Sequence, residues 1–175
     1  RVTYLNAYKR ENRLSKYCSC RRALYLIRKP TYNFIIMPPV LDRHALEMIS
    51  RSAEQTRRVG MRLGALLQPG DVIALEGDLG SGKTTLVQGI AAGWGSLDPV
   101  SSPTFVLVKV YRRADKKRFY HLDAYRLSGP AEAIDLDIDD MIAGGPLVVE
   151  WADRIESALP DDRLWVSMKW LDETR

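Results

Sequence analysis

The segment Gly77-Asp78-Leu79-Gly80-Ser81-Gly82-Lys83-Thr84 constrains this chain more than any other. Glycines at this density favour neither helix nor strand, because glycine loses the most backbone freedom on ordering. They suit a loop whose backbone N–H groups turn inward around an anion. Just upstream, Asp71-Val72-Ile73-Ala74-Leu75-Glu76 reads as a short buried strand. Just downstream, Leu86 to Trp94 reads as a helix stopped by Gly93 and Gly95. Strand, G-x-x-x-x-G-K-[ST] loop and helix together form a phosphate cradle, with the helix N-terminus adding partial positive charge. Leu79, Gly80, Ser81 and Gly82 then supply the loop backbone. Lys83 faces the β- and γ-phosphates, Thr84 is placed for Mg²⁺, and Thr85 for the α-phosphate. A chance match in a glycine-rich loop is the competing reading, and the flanking strand, helix and doubled Thr oppose it. The motif predicts a bound nucleoside triphosphate and leaves the reaction open.

The remaining pattern places this loop in an alternating fold. From Leu41 to Leu67 apolar residues recur at helical spacing, with Ser52 and Gln55 as a capping box where the helix can start again. Pro69-Gly70 ends it. Thr104–Tyr111 and Arg118–Leu122 read as strands of a hairpin, Pro130–Met141 as a helix, and Leu147–Glu150 as a strand. A short helix, Ala152–Leu159, and a last strand, Arg163–Trp170, complete the series. Alternating strands and helices plus a hairpin predict an α/β, three-layer P-loop NTPase-like fold with a mixed parallel and antiparallel sheet.

Charge separates off one end. The net charge is +4, but residues 1–36 hold nine Lys and Arg against Glu11 alone, whereas the other 139 residues hold 17 bases and 21 acids. The main domain therefore does not attract nucleic acid by net charge. Residues 1–36 also lack clean periodicity, the first Met is Met37, and Pro38-Pro39 follows. Residues 1–36 are expected to be a basic N-terminal extension, disordered or not native, and 37–175 a single domain. Cys18 and Cys20 form a lone C-x-C, and His44 and His121 are the only histidines, so a four-ligand zinc site is not indicated. No apolar run long enough to cross a membrane and no signal peptide are visible, so a cytoplasmic location is expected.

Four further segments carry candidate chemistry. Asp123 ends an apolar strand and is either a Mg²⁺ partner, reached through water, or a loop carboxylate capping the next turn. Glu150 ends another strand and is either a metal or water-positioning group or a solvated strand end. Trp151 either stacks on a base or fills the core. The Ser101-Ser102-Pro103-Thr104 hydroxyls either sense the γ-phosphate or make an ordinary turn. Arg112 to Arg118 is a phosphate lid, an RNA-facing patch or, more simply, a solvated hairpin tip. His121 is read as a structural histidine. No Asn follows Asn33, so the guanine-reading Asn-Lys-x-Asp box is absent and ATP is favoured over GTP.

The blocks Gly77–Thr85, Ser102-Pro103-Thr104-Phe105, His121-Leu122-Asp123-Ala124-Tyr125-Arg126-Leu127 and Glu150-Trp151 together resemble the TsaE family, formerly YjeE. The resemblance covers roughly residues 45–170 and includes the opening helix with Ser52, Glu54 and Thr56 and the closing Leu159-Pro160-Asp161-Asp162-Arg163-Leu164. It implies a P-loop ATPase binding ATP and Mg²⁺ and serving threonylcarbamoyl modification of adenosine in ANN-decoding tRNAs. TsaD and TsaB are the implied partners, and tRNA is met through that complex. Lys83 and Thr84 would meet phosphates and Mg²⁺, Asp123 and Glu150 would take the metal and water-activating roles, and Thr104 would be switch-like. Trp151, Ser52 and Asp153 would lie near the nucleotide. The family's Pro after Glu-Trp is Ala152 here, and its Glu is Asp153. The alternatives are a P-loop kinase for nucleotides or small molecules, and a nucleotide-gated scaffold that does not hydrolyse ATP.

Overall fold

A computed structural model describes residues 2–9 and 45–171 of the chain. A seven-stranded sheet runs through the middle, built from β1 (Val2–Lys9), β2 (Ala45–Ser50), β3 (Val72–Gly77), β4 (Val108–Arg112), β5 (Arg118–Asp123), β6 (Leu147–Glu150) and β7 (Leu164–Leu171). Its order is β2-β1-β7-β3-β6-β5-β4. The four central strands, β7, β3, β6 and β5, are mutually parallel, and antiparallel pairs flank them on both sides. The mixed sheet expected from the alternation is present.

Strand alternation divides the core in two. Val72, Ala74, Leu147 and Val149 point to one face, with Leu122, Ile155 and Trp165. Ile73, Leu75, Val148 and Val166 point to the other, with Leu86, Val87 and Ile90. Each fully buried Val, Leu or Ile among them contributes roughly 1.5–3 kcal/mol. Helices α1 (Ala53–Gly64) and α2 (Lys83–Trp94) cover the second face. The first is covered by α3 (Pro130–Ile134), α4 (Ile138–Gly144) and a kinked 3₁₀ segment, Ala152–Ala158.

Helices α1 and α2 touch backbone to backbone. A Cβ on Gly60 would lie 2.4 Å from Leu86 O, and one on Gly64 1.9 Å from Ile90 O. From the other side, a Cβ on Gly89 would lie 2.2 Å from Arg57 O, and one on Gly93 2.0 Å from Met61 O. The two G-x-x-x-G pairs interlock, and this close approach fixes where α2, and with it the phosphate loop, sits over the sheet.

Several expectations need correction. Residues 2–9 are not a disordered tail: β1 pairs with β7 from Val2↔Leu171 to Lys9↔Leu164 and with β2 from Thr3↔Ser50 to Tyr8↔Ala45. Leu5 is buried in the core beside α2. The rest of the stretch, including Cys18, Cys20 and Met37, lies outside the described residues, as do residues 41–44. The helix expected from Leu41 is a strand over Ala45–Ser50, because the partner strand β1 supplies hydrogen bonds that local periodicity does not reveal. The capping box at Ser52 is the true start of α1: Gln55 N–H donates to Ser52 Oγ at 3.2 Å, and Arg51 N–H to Gln55 Oε1 at 2.7 Å. The strand expected from Thr104 begins only at Val108, since residues 104–106 turn and Leu107 has φ 62°. The helix expected over Pro130–Met141 breaks in two at Asp137, which has φ 51°.

Candidate nucleotide site

The site lies at the carboxyl ends of the parallel strands, where open α/β sheets place their ligands. Strand β3 ends at Gly77, β6 at Glu150 and β5 at Asp123. The loop leaves β3 through Gly77, whose Cβ would lie 2.1 Å from Met168 O, and enters α2 through Gly82 in the left-handed region at φ 99°. A side chain is disfavoured at both positions. Between them, Leu79 projects into solvent, while Ser81 is fully buried.

Lys83 opens α2 and folds back over the loop. Its Nζ donates to Gly77 O at 2.6 Å and Asp78 O at 2.9 Å, and lies 3.9 Å from the centroid of the Trp151 ring. Burial pulls its pKa below the ordinary lysine value, and the charges of Glu150, Asp123, Asp153 and Asp78 partly offset this.

The two strand-end carboxylates do different things. Glu150 is almost fully buried. Its Oε2 accepts the Thr84 hydroxyl at 3.0 Å, and its Oε1 lies 2.9 Å from Nε2 of His121. Asp123, equally buried, faces the segment before β4: the hydroxyls of Thr104 and Ser102 both reach its Oδ2, that of Ser102 at 3.3 Å. Its Oδ1 accepts Tyr125 N–H at 3.0 Å. Asp123 therefore caps the following turn and anchors the Ser102–Thr104 segment at once.

Trp151 is partly buried at the edge of the core. It packs against the buried cluster of the first face, lies 5.0 Å from Tyr125 between ring centroids, and carries Lys83 on its ring. Its φ of 57° is a costly conformation for a large side chain, of the kind that concentrates at functional sites. Asp153 is exposed nearby and contributes to the field at Lys83. Ser52 uses its hydroxyl on the α1 cap, where it accepts Gln55 N–H, and its carbonyl accepts the hydroxyls of Ser50 and Thr56. Thr85, half-buried on the first turn of α2, follows Thr84 directly.

The Arg112–Arg118 run is not a lid over this loop. It is the turn at the start of β5, so it lies at the amino ends of the parallel strands, opposite the phosphate loop. There Arg113, Lys117 and Arg118 line a cleft of about 270 Å³ with Leu67, Trp94 and Pro146. Arg126 is on the nucleotide side, its guanidinium 5.1 Å from the Phe105 ring centroid.

Sequence reasoning missed His121 as a member of the site. Strand periodicity held the signal: His121 and Asp123 are two apart on β5, and register places them beside Val148 and Glu150. All four side chains share one face, toward α2. Thr3 was missed as well, and its hydroxyl donates to Ser81 O of the loop at 3.2 Å.

Mg²⁺ favours oxygen ligands and keeps waters and phosphates in its shell. The Thr84 hydroxyl and the Glu150 and Asp123 carboxylates suit it. Among the described residues no cluster of three His, Cys, Asp or Glu forms a metal site by itself. The donor set fits a cation that arrives with its triphosphate. Also among the described residues, no helix is long and apolar enough to cross a membrane.

Residues 50–175 match the family described as Threonylcarbamoyl adenosine biosynthesis protein TsaE. A tRNA threonylcarbamoyladenosine biosynthesis protein TsaE from Treponema pallidum is 38% identical over 127 residues, covering 72% of this chain and 93% of the relative. The protein of that name from Bacillus subtilis is 43% identical over 117 residues, covering 66% of this chain and 72% of the relative. The crystal structure of Bacillus subtilis YdiB is similar with a TM-score of 0.57 and 36% identity, covering 71% of this chain and 76% of that one. Strand β1 and all of β2 but Ser50 precede the family match.

Proposed function

The chain belongs to the TsaE family of threonylcarbamoyl adenosine biosynthesis proteins, and on that premise we propose that it is the ATP-binding, slowly hydrolysing subunit serving threonylcarbamoyl modification of adenosine in ANN-decoding tRNAs. One observation supports this reading most: the Thr84 hydroxyl, at the mouth of the phosphate loop, is bonded to a buried strand-end carboxylate, Glu150. That pairing suits a hydroxyl that gives its proton to a carboxylate and turns its lone pairs toward a cation.

In this reading Lys83 leaves the loop carbonyls for the β- and γ-phosphates, and the backbone of Leu79, Gly80, Ser81 and Gly82 wraps them. Thr84 and Glu150 hold the Mg²⁺ side, with Asp123 reaching it through water. The cation, when bound, neutralises charge between the phosphates. Asp123 also tethers Thr104, so the Ser102–Thr104 segment can respond to the γ-phosphate. Trp151, Ser52 and Asp153 lie near the nucleotide, with Thr85 toward the α-phosphate. A lone loop Lys, one cation and a carboxylate bind ATP well and hydrolyse it slowly, because a further positive charge speeds this chemistry greatly. Turnover belongs to a complex with TsaD- and TsaB-like proteins in the cytoplasm, as the family implies, and Arg126 or a partner's arginine would supply that charge there. Contact with tRNA then comes through those partners.

The alternative of a kinase loses its lid, since the Arg112–Arg118 turn is at the far end of the sheet. Reconstitution with the TsaB and TsaD counterparts, tRNA and threonylcarbamoyl-adenylate tests the proposal. Modification over many turnovers should require this chain and its Lys83. Sustained modification without either would overturn it.

A further inference from the structure

His121 has no exposed surface, and its Nε2 lies 2.9 Å from Glu150 Oε1. The other oxygen of that carboxylate receives the Thr84 hydroxyl at 3.0 Å. An ionised carboxylate only accepts, so the hydrogen of the shared bond belongs to Nε2. The second ring nitrogen, Nδ1, is buried and has no hydrogen-bond partner among the described residues. A residue needed only to fill the core would do better as Phe or Leu, which leave no buried polar atom unmatched.

The ring is steadied by Tyr111, stacked at 6.2 Å between centroids and 29° between planes. The Tyr111 hydroxyl in turn donates to Ser101 O at 3.1 Å. Ser101 opens the segment whose Thr104 hydroxyl meets Asp123. A continuous set of contacts therefore runs from the pre-β4 segment through Tyr111 and His121 to Glu150 and Thr84.

We propose that His121 is a positioning residue of the nucleotide site: its Nε2–H fixes the Glu150 carboxylate so that Oε2 meets the Thr84 hydroxyl, and its stacking ties that carboxylate to the Ser101–Thr104 segment. This rests on the reading of the site as one for a triphosphate with Mg²⁺. His121 acts through Glu150. Without it, Glu150 loses one of the two side-chain hydrogen bonds it makes among the described residues.

Nitrogen-15 NMR of the full chain, free of nucleotide, reads the tautomer directly. Hydrogen on Nε2 is expected, and hydrogen on Nδ1 alone would overturn the inference. The measurement uses the unaltered protein, so a variant that fails to fold does not leave the matter open. It also needs no ligand, so its failure is distinct from failure of the ATP reading. His121→Phe keeps a ring and removes the donor, whereas His121→Gln restores an N–H toward Glu150. With ADP present, Mn²⁺ affinity by electron paramagnetic resonance should fall about tenfold in His121→Phe and recover to within about threefold in His121→Gln, as for other residues that orient metal ligands. ADP affinity in EDTA should not change, and kcat for ATP should fall with KM little altered. Equal Mn²⁺ affinity in all three proteins would sink the proposal. So would a loss in His121→Phe matched by an equal loss of metal-free ADP affinity, the mark of a purely structural role.

Discussion

The Thr84 hydroxyl donates to Oε2 of Glu150 at 3.0 Å, joining the first turn of α2 to the end of β6 across 66 residues of sequence. Glu150→Gln keeps the shape of that contact and removes its charge. ATP turnover should fall by about 10² or more, the usual range for a general base or water-orienting carboxylate. ADP binding in EDTA should stay near the unaltered value. Unchanged turnover in the reconstituted complex would remove Glu150 from the chemistry.

Lys83 Nζ rests 3.9 Å from the centre of the Trp151 ring. Phosphates that draw it away must change the surroundings of that indole. ATP should therefore shift tryptophan emission, and Trp151→Phe should abolish the shift while the other tryptophans remain. Lys83→Ala should weaken ATP binding by roughly 10- to 150-fold, the equivalent of a hydrogen bond to a charged group. An emission change that survives in Trp151→Phe would remove Trp151 from the nucleotide's neighbourhood.

Gly64 allows α1 to lie against α2, and a Cβ there would stand 1.9 Å from Ile90 O. The obstacle is backbone, which cannot swing aside. Gly64→Ala should cost about 1–3 kcal/mol despite alanine's better helix propensity, the range for overpacking. Chemical denaturation measures it, and a gain in stability would show that the helices can separate without loss.

Asp71 is half-buried, and desolvation raises its pKa above the ordinary carboxylate value, although Gln68 N–H donates to its Oδ2 at 2.8 Å. A raised folded-state pKa favours the protonated form. The native state thus gains below the unfolded pKa and loses that gain as pH rises through the folded one. Asp71→Asn keeps an acceptor and has no charge to bury. Its stability relative to the unaltered protein should rise from acid to neutral pH. A difference independent of pH would exclude this cause.

Strand β1 buries Leu5 and lends Thr3 to the carbonyl of Ser81. Deleting residues 1–9 strips β7 of an antiparallel partner and removes a buried leucine worth about 2 kcal/mol. The melting temperature should fall by about 4 °C or more. An unchanged value would show that β1 contributes nothing to the fold in solution.

The phosphate loop, the strands β3, β5 and β6, and the capping box of α1 were legible because their signals are local. Loop glycines, a Lys-Thr pair and a Ser52–Gln55 spacing act within a few residues of one another. Asp123 and Glu150 were legible as strand ends, but not which would meet Thr84, since that depends on the order of β3, β6 and β5 in the sheet. Ala45–Ser50 read as helix because its strand character comes from β1, some forty residues earlier in the chain.

The sequence alone determined the α/β scaffold and a glycine loop between strand and helix, the pattern expected of a phosphate cradle, because strand, loop and helix signals are local. Tertiary structure decided the rest. The interlocked glycines of α1 and α2 set where the loop sits, and parallel register put His121 beside Glu150 and Glu150 beside Thr84. The sheet also placed the basic hairpin turn at the end away from the nucleotide. The reason is common to all three: each is a relation between segments distant in sequence, fixed by close packing and sheet hydrogen bonds that no local pattern of residue types encodes.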